Sequence, residues 1–166
     1  MTNPTFAASI EQLAASQTPD LIRLAYRILG SAEDAEEVVQ TSFLEVLTNQ
    51  QKQLVVTNLE GFLRHLVTCR SLDVLRKRGR TQSLDFDPPS QTSLPPESIV
   101  IAREWLSRLR TALSSLSPRQ AEIFTMRYLS EVSNAEIARQ LGISENAVAV
   151  SLRKARIELH TLIVKE

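Results

Sequence analysis

Three observations predict an all-α protein: two small helical domains joined by a flexible, proline-rich linker, the C-terminal domain a helix-turn-helix. Apolar residues recur three and four positions apart through most of the 166-residue chain, the period of helices with one buried face. Only four glycines occur and aromatics make up 5%, a composition that suits helices. Residues 81–96, TQSLDFDPPSQTSLPP, hold four of the seven prolines and part the patterned stretches into two blocks. The expected division is therefore 1–80, a linker over 81–96, and 97–166.

Taken in order, residues 1–17 are weakly patterned and predict a frayed or loosely packed helix. Thr18-Pro19-Asp20 is a start signal, with a cap residue, proline at the first helical position and an acid in the first turn. Leu21, Leu24, Ala25, Ile28 and Leu29 then repeat at helical spacing until Gly30. Ser31 opens a second helix, and Glu33 and Asp34 suit its positive N-terminus. Its apolar stripe is Ala35, Val38, Val39, Phe43, Val46 and Leu47, while Asp34, Glu37, Gln40, Thr41 and Glu45 make an acidic and polar face. Residues 49–58 form a polar loop around Leu54-Val55-Val56. A third helix from about Leu59 to Lys77 buries Phe62, Leu63, Leu66, Val67 and Val74, then ends in RKRGR with Gly79 as the stop.

No packed element survives the composition of residues 81–96, and extended they reach on the order of 50 Å. The second block therefore need not touch the first. It starts near Glu97 with a stripe of Ile101, Trp105, Leu109, Ala112, Leu113 and Leu116. Ser117-Pro118-Arg119-Gln120 is another capped start, and Ile123, Phe124 and Leu129 carry the buried side of that helix. The chain then reaches SNAEIARQLGISENAVAVSLRKAR, residues 133–156. Ser133 and Glu136 have capping-box spacing, and Ile137, Ala138 and Leu141 give a short helix its apolar face. Gly142 stops it, because glycine takes the left-handed conformation without steric penalty. Ile143 plugs the corner, Ser144 caps the next helix, and Val148, Leu152 and Ala155 form its stripe. Two short helices joined in this way make a helix-turn-helix, whose second helix enters the major groove of DNA. An ordinary helical hairpin would share the pattern, but Arg153, Lys154 and Arg156 favour DNA.

Composition narrows the function classes. No run of about 18 apolar residues exists, so no membrane insertion is expected, and MTNPTFAASIEQL lacks the pattern of a secretory signal. Cys69 is the single cysteine, which rules out an internal disulfide and suits a reducing, cytoplasmic setting. Formal net charge is zero, unusual for a protein that binds DNA unaided. Cys69, His65 and His160 show no nucleophile–base pairing, and His65 with Cys69 on one helix is too thin for a metal site. No glycine-rich phosphate loop is present either. The expectation is a chain that is no enzyme and needs no cofactor.

Three stretches carry a family resemblance covering roughly residues 20–80 and 105–163. LIRLAYRILGSAEDAEEVVQTSFLEV, GFLRHLVTCRSLDVLRKRGR and the region from ALSSLSPRQ through SLRKARIEL resemble, in that order, three regions of bacterial RNA polymerase sigma factors of the extracytoplasmic-function (ECF) class. These are the polymerase-binding, −10-recognition and −35-binding regions. The resemblance implies a subunit that binds core RNA polymerase and directs initiation at promoter DNA, with an anti-sigma protein as a plausible inhibitor. It assigns polymerase docking to the face bearing Asp34, Glu37, Val38, Gln40 and Thr41, where carboxylates would steer toward a basic partner. It places Arg76, Lys77, Arg78 and Arg80 along promoter phosphates, contacts that position without reading sequence. The 49–58 loop would help hold a base extruded from the −10 duplex.

On the recognition helix, Ser144, Glu145, Asn146, Ala149, Val150, Arg153, Lys154 and Arg156 face the −35 element. Asn146 suits adenine and Arg153 suits guanine or phosphate. Arg127 is a candidate backbone clamp, although it and Arg139 serve equally as solubilising charges. The chain departs from the family's common pattern at Ala149 and Ser151, where Lys and Arg are frequent, at Cys69 for Asn, and at Phe62 for Trp. Fewer phosphate-reaching charges predict weak autonomous DNA binding, and Ala149 and Val150 would meet thymine methyls instead. Two rivals remain at this stage: a stand-alone helix-turn-helix regulator, which would retard DNA alone, and a sigma-like adaptor, which would support no promoter-specific transcript.

Overall fold

Gly30, at φ 71°, ends one helix and lets the next begin two residues later, the tight turn from which the first block is built. The computed structural model describes residues 4–49, 58–79 and 95–165. Among them the elements are α1 (Pro4–Leu29), α2 (Ala32–Thr48), α3 (Leu59–Gly79), α4 (Pro96–Ser115), α5 (Pro118–Tyr128), α6 (Asn134–Leu141) and α7 (Glu145–Val164), with no strand. The all-α expectation holds. The predicted linker and the 49–58 loop lie outside the described residues, apart from Asn49, Asn58, Pro95 and Pro96. Pro96 itself opens α4, a first-turn place where its missing N–H is harmless.

Ser31, Ser117, Ser133 and Ser144 each cap a helix as expected, accepting from the backbone N–H three residues on at 3.1–3.3 Å. Two boundaries differ from expectation. Pro19 does not start a helix but sits inside α1, which runs unbroken from Pro4. An interior proline costs about 3 kcal/mol, yet Pro19 and Ala15, whose carbonyl loses its partner, are both exposed residues, so solvent can take the place of the lost bond. Burying Ile10, with Phe6 and Leu13 packed alongside, offsets the rest. Gly79 is the last residue of α3, which runs two residues past the expected end at Lys77. A Cβ there would come within 2.9 Å of Ser114 Oγ, so a side-chain-free residue lets α3 and α4 approach.

The two blocks touch. One apolar cluster runs from Ala25, Ile28 and Val39 through Leu63, Val67 and Leu75 to Leu113, Leu116, Ala121 and Leu159. Arg110 of α4, only 4% exposed, donates from Nε to Ile28 O (3.1 Å) and from Nη2 to Arg27 O (3.3 Å), satisfying carbonyls at the end of α1. Arg27 in turn donates to Leu129 O at 3.0 Å. A second, smaller cluster of Ile123, Met126, Ile137, Ala138, Val148 and Leu152 holds the helix-turn-helix on α5. The predicted stripe of α4 is buried only in its second half. Ile101 and Trp105 are 58% and 53% exposed.

Candidate nucleic-acid interface and docking cleft

The recognition element is set by its turn. Gly142 adopts φ 64°, ψ 35°, and both its N–H and that of Ile143 bond to Ala138 O, turning the chain from α6 into α7. Val148, Leu152, Ala155 and Leu159, spaced four, three and four, bury one side of α7. The opposite side presents Glu145, Asn146, Ala149, Val150, Arg153, Lys154 and Arg156, all exposed, with Ser144 at the cap. α7 belongs to both clusters: Val148 and Leu152 to the small one, Ala155 and Leu159 to the large one. The exposed face is thus anchored at its tail. Arg153 and Lys154 form no ion pair among the described residues, while Arg156 donates to Tyr128 Oη at 3.4 Å. Arg127 is half-buried with its guanidinium 5.9 Å over the Tyr128 ring, which gathers Arg127, Tyr128 and Arg156 beside α7.

α2 and α3 enclose a cleft of about 470 Å³ lined by Asp34, Glu37, Val38 and Thr41 on one wall and Arg70, Asp73, Val74 and Lys77 on the other. The expected acidic face is therefore one wall of a groove carrying both signs of charge. Glu37, Gln40 and Thr41 are exposed, although Gln40 lies outside the cleft lining. Val38, expected at the docking surface, is 6% exposed and belongs to the core; it can floor the cleft but offers no docking area. Asp34 is bound to Arg78, so the predicted docking and DNA sets meet inside the chain. Arg78 also donates to Leu29 O at 3.3 Å, and burial lowers the pKa of its guanidinium from the ordinary value. Arg78 is thus taken up structurally rather than offered to phosphates. Arg76 is half-buried against Asp73 at 3.3 Å; Lys77 is exposed, and Arg80 lies outside the described residues.

Charges along the cleft are ordered. Arg70 makes a two-point bond to Glu45, Nε to Oε2 at 3.0 Å and Nη2 to Oε1 at 2.7 Å, and reaches Asp73 at 3.4 Å. The Arg70 hydrogen bond holds the Glu45 carboxyl below its usual pKa, and Glu45 raises that of Arg70. Sequence reasoning missed this pair, as it missed Arg110 and Glu122, because each partner lies on a different helix. Glu122 of α5 is 9% exposed, pairs with Arg119 at 3.1 Å, and sits against His65 and Cys69 of α3. The i, i+4 spacing of His65 and Cys69 was visible beforehand; the third residue was not.

Residues 13–81 match the family profile described as Sigma-70 region 2, and residues 106–159 that described as Sigma-70, region 4. The chain is 29% identical over 161 residues to the ECF RNA polymerase sigma factor SigE of Mycolicibacterium smegmatis, covering 95% of this chain and 62% of that protein. Against the ECF RNA polymerase sigma factor SigW of Bacillus subtilis identity is 22% over 147 residues, covering 82% and 79%. Among solved structures, the sigma factor RpoE bound to the anti-sigma factor NepR, from Bartonella quintana, shares the fold at a TM-score of 0.59 and 21% identity, covering 93% of this chain and 96% of RpoE.

Proposed function

Since the chain belongs to the extracytoplasmic-function class of RNA polymerase sigma factors, we propose that it binds core RNA polymerase through the α2–α3 cleft and directs promoter-specific initiation. The observation that carries this reading is the outward side of α7, exposed over seven residues of which four are charged, on a Gly142 turn, while its inward side is locked into both apolar clusters.

In this scheme Glu37 and Thr41, with Gln40 beside them, meet a basic surface of the polymerase. Arg76, Lys77 and Arg80 follow the phosphates next to the −10 element. Asn146 suits an adenine edge, Arg153 a guanine or phosphate, and Ala149 and Val150 thymine methyls, with Ser144 and Glu145 at the helix start. Lys154, Arg156 and Arg127 supply backbone contacts. Extruding a base from the duplex costs a few kcal/mol, to which the polymerase must contribute, so the free chain should not open DNA on its own, and the polymerase does the chemistry. The reading places the protein in the cytoplasm. The complex of RpoE with an anti-sigma factor supports a protein inhibitor here too.

Run-off transcription with purified core polymerase tests the proposal. A promoter-specific transcript that requires this chain is the expected result. Retardation of the same DNA by the chain alone, with no transcript on adding core enzyme, would replace it by a stand-alone regulator.

A further inference from the structure

One group of donor side chains is not among the residues assigned above to polymerase or DNA contacts. His65 and Cys69, a turn apart on α3, converge on Glu122 of α5, and one donor atom from each lies within 4.8 Å of the others. His65 Nδ1 is 3.2 Å from Glu122 Oε1, Cys69 Sγ is 3.4 Å from the same oxygen, and Cys69 Sγ is 3.8 Å from His65 Nε2. Hydrogen bonding alone does not account for the group, because the buried Nδ1 of His65 forms no bond of acceptable geometry despite its closeness to the carboxylate. Redox sensing does not account for it either. Burial first, then Glu122, pushes the Cys69 thiol up to about 12, so the free residue holds its proton and is a poor nucleophile.

We propose that His65, Cys69 and Glu122 form a Zn²⁺ site that cross-links α3 to α5 and so fastens the two halves of the chain together. A tetrahedral Zn²⁺ with bonds of about 2.0 Å to N and O and 2.3 Å to S has donor–donor edges of roughly 3.3–3.5 Å, which the two edges from Glu122 Oε1, 3.2 Å to His65 Nδ1 and 3.4 Å to Cys69 Sγ, match. Thiolate, imidazole and carboxylate together select a borderline-soft divalent ion over Mg²⁺ or Ca²⁺, which take oxygen ligands. Arg119, 3.1 Å from Glu122 Oε2, holds that oxygen and leaves Oε1 to the ion. Three protein ligands leave a fourth position for water, and His65, 29% exposed, lies on the way in. On binding, the Cys69 proton leaves to solvent and the thiolate takes its place on the metal.

The test uses the full chain stripped with a chelator and needs no polymerase, so its outcome is independent of the sigma-factor assignment. Co²⁺ should bind one equivalent with a thiolate charge-transfer band, and Zn²⁺ should displace it. Cys69→Ser should abolish the band. Glu122→Gln should weaken Zn²⁺ by about tenfold or more in competition with a chromophoric chelator, and Zn²⁺ should raise the melting midpoint of the wild type alone. His65→Gln repeats the measurement should Cys69→Ser fail to fold by circular dichroism. Absence of the thiolate band, or equal Zn²⁺ affinity for wild type and folded Glu122→Gln, overturns the site.

Discussion

The cleft between α2 and α3 and the outer face of α7 are both rich in charge, yet they use it in opposite ways. At and beside the cleft, Arg70 is bound to Glu45 and Arg78 to Asp34, each pair joining α3 to α2, while Arg76 pairs with Asp73 within α3, so charge there ties the two helices and borders a groove. On α7, Arg153 and Lys154 point outward with no ion pair among the described residues. Charge paired at short range inside a fold contributes to stability and geometry, whereas unpaired exposed charge contributes to association. Two basic stretches that look alike in sequence therefore differ in what they contain: Arg78 of the first is tied to Asp34 and Leu29 inside the fold, whereas Arg153 and Lys154 of the second are exposed and make no ion pair among the described residues.

The largest test compares two glycines, one from each region. Both need positive φ, at 71° for Gly30 and 64° for Gly142. A Cβ on Gly30 would lie 2.7 Å from Arg110 Cζ, whereas on Gly142 it would meet nothing within 4 Å. Gly142→Ala should thus cost only the left-handed penalty of about 1 kcal/mol. Gly30→Ala should cost about 3 kcal/mol, because displacing Arg110 also breaks its bonds to the α1 carbonyls. Urea unfolding of both variants measures the difference. Gly142→Val, with a β-branched side chain at the same φ, should also remove −35 binding; wild-type binding by this variant would refute the turn as the source of the recognition geometry.

A second comparison exchanges the two kinds of charge directly. Arg78→Ala should lower stability by about 2 kcal/mol, losing a charged pair and a carbonyl bond, with little change in the salt dependence of promoter binding. Lys154→Ala should leave stability within about 0.5 kcal/mol and reduce the salt slope of polymerase-dependent promoter binding by about one. If Arg78→Ala altered the slope as much as Lys154→Ala, the division between structural and presented charge would collapse.

The same contrast explains what was legible in the sequence. Helix periodicity and capping serines located nearly every element, because both are local: Ser31, Ser117, Ser133 and Ser144 act within three residues of themselves. The exposed face of α7 was legible for that reason, since helical phase alone separates Asn146 and Arg153 from Val148 and Leu152. Pro19 misled because its start signal is local while the force that keeps α1 whole, burial of Ile10, is tertiary. Arg78, Arg110 and Glu122 were misread or missed because their partners lie 44, 82 and 53–57 positions away. Trp105 was assigned to a core by pattern, and pattern cannot say whether a neighbour exists to cover it.

Within the cleft, Glu37 and Glu36 are adjacent and exposed, but only Glu37 lines the groove. Glu37→Lys should weaken association with core polymerase by about tenfold through like-charge contact, with unchanged helicity by circular dichroism. Glu36→Lys should have a clearly smaller effect. Equal losses would mean that net charge on α2, rather than the groove, drives docking.

The smallest effect separates a bond between helices from one within a helix. The Arg70 hydrogen bond lowers the pKa of Glu45 below its ordinary 4.5. Its stabilisation is therefore fully present above that ordinary value and is lost as pH falls through the lower folded one. Arg70 is 42% exposed, so the contribution should stay below about 1 kcal/mol. Glu136 is lowered further, to about 2, by Arg139 and Gln140, but all three belong to α6 and its partner Arg139 is 60% exposed. Glu45→Gln should flatten the acid limb of a urea-midpoint profile because it unties α2 from α3. Glu136→Gln should leave the limb nearly unchanged despite the larger shift, since its bonds need only one helix and are screened by water. A reversed order would show that α6 limits acid stability and that the Glu45–Arg70 tie is dispensable to the first block.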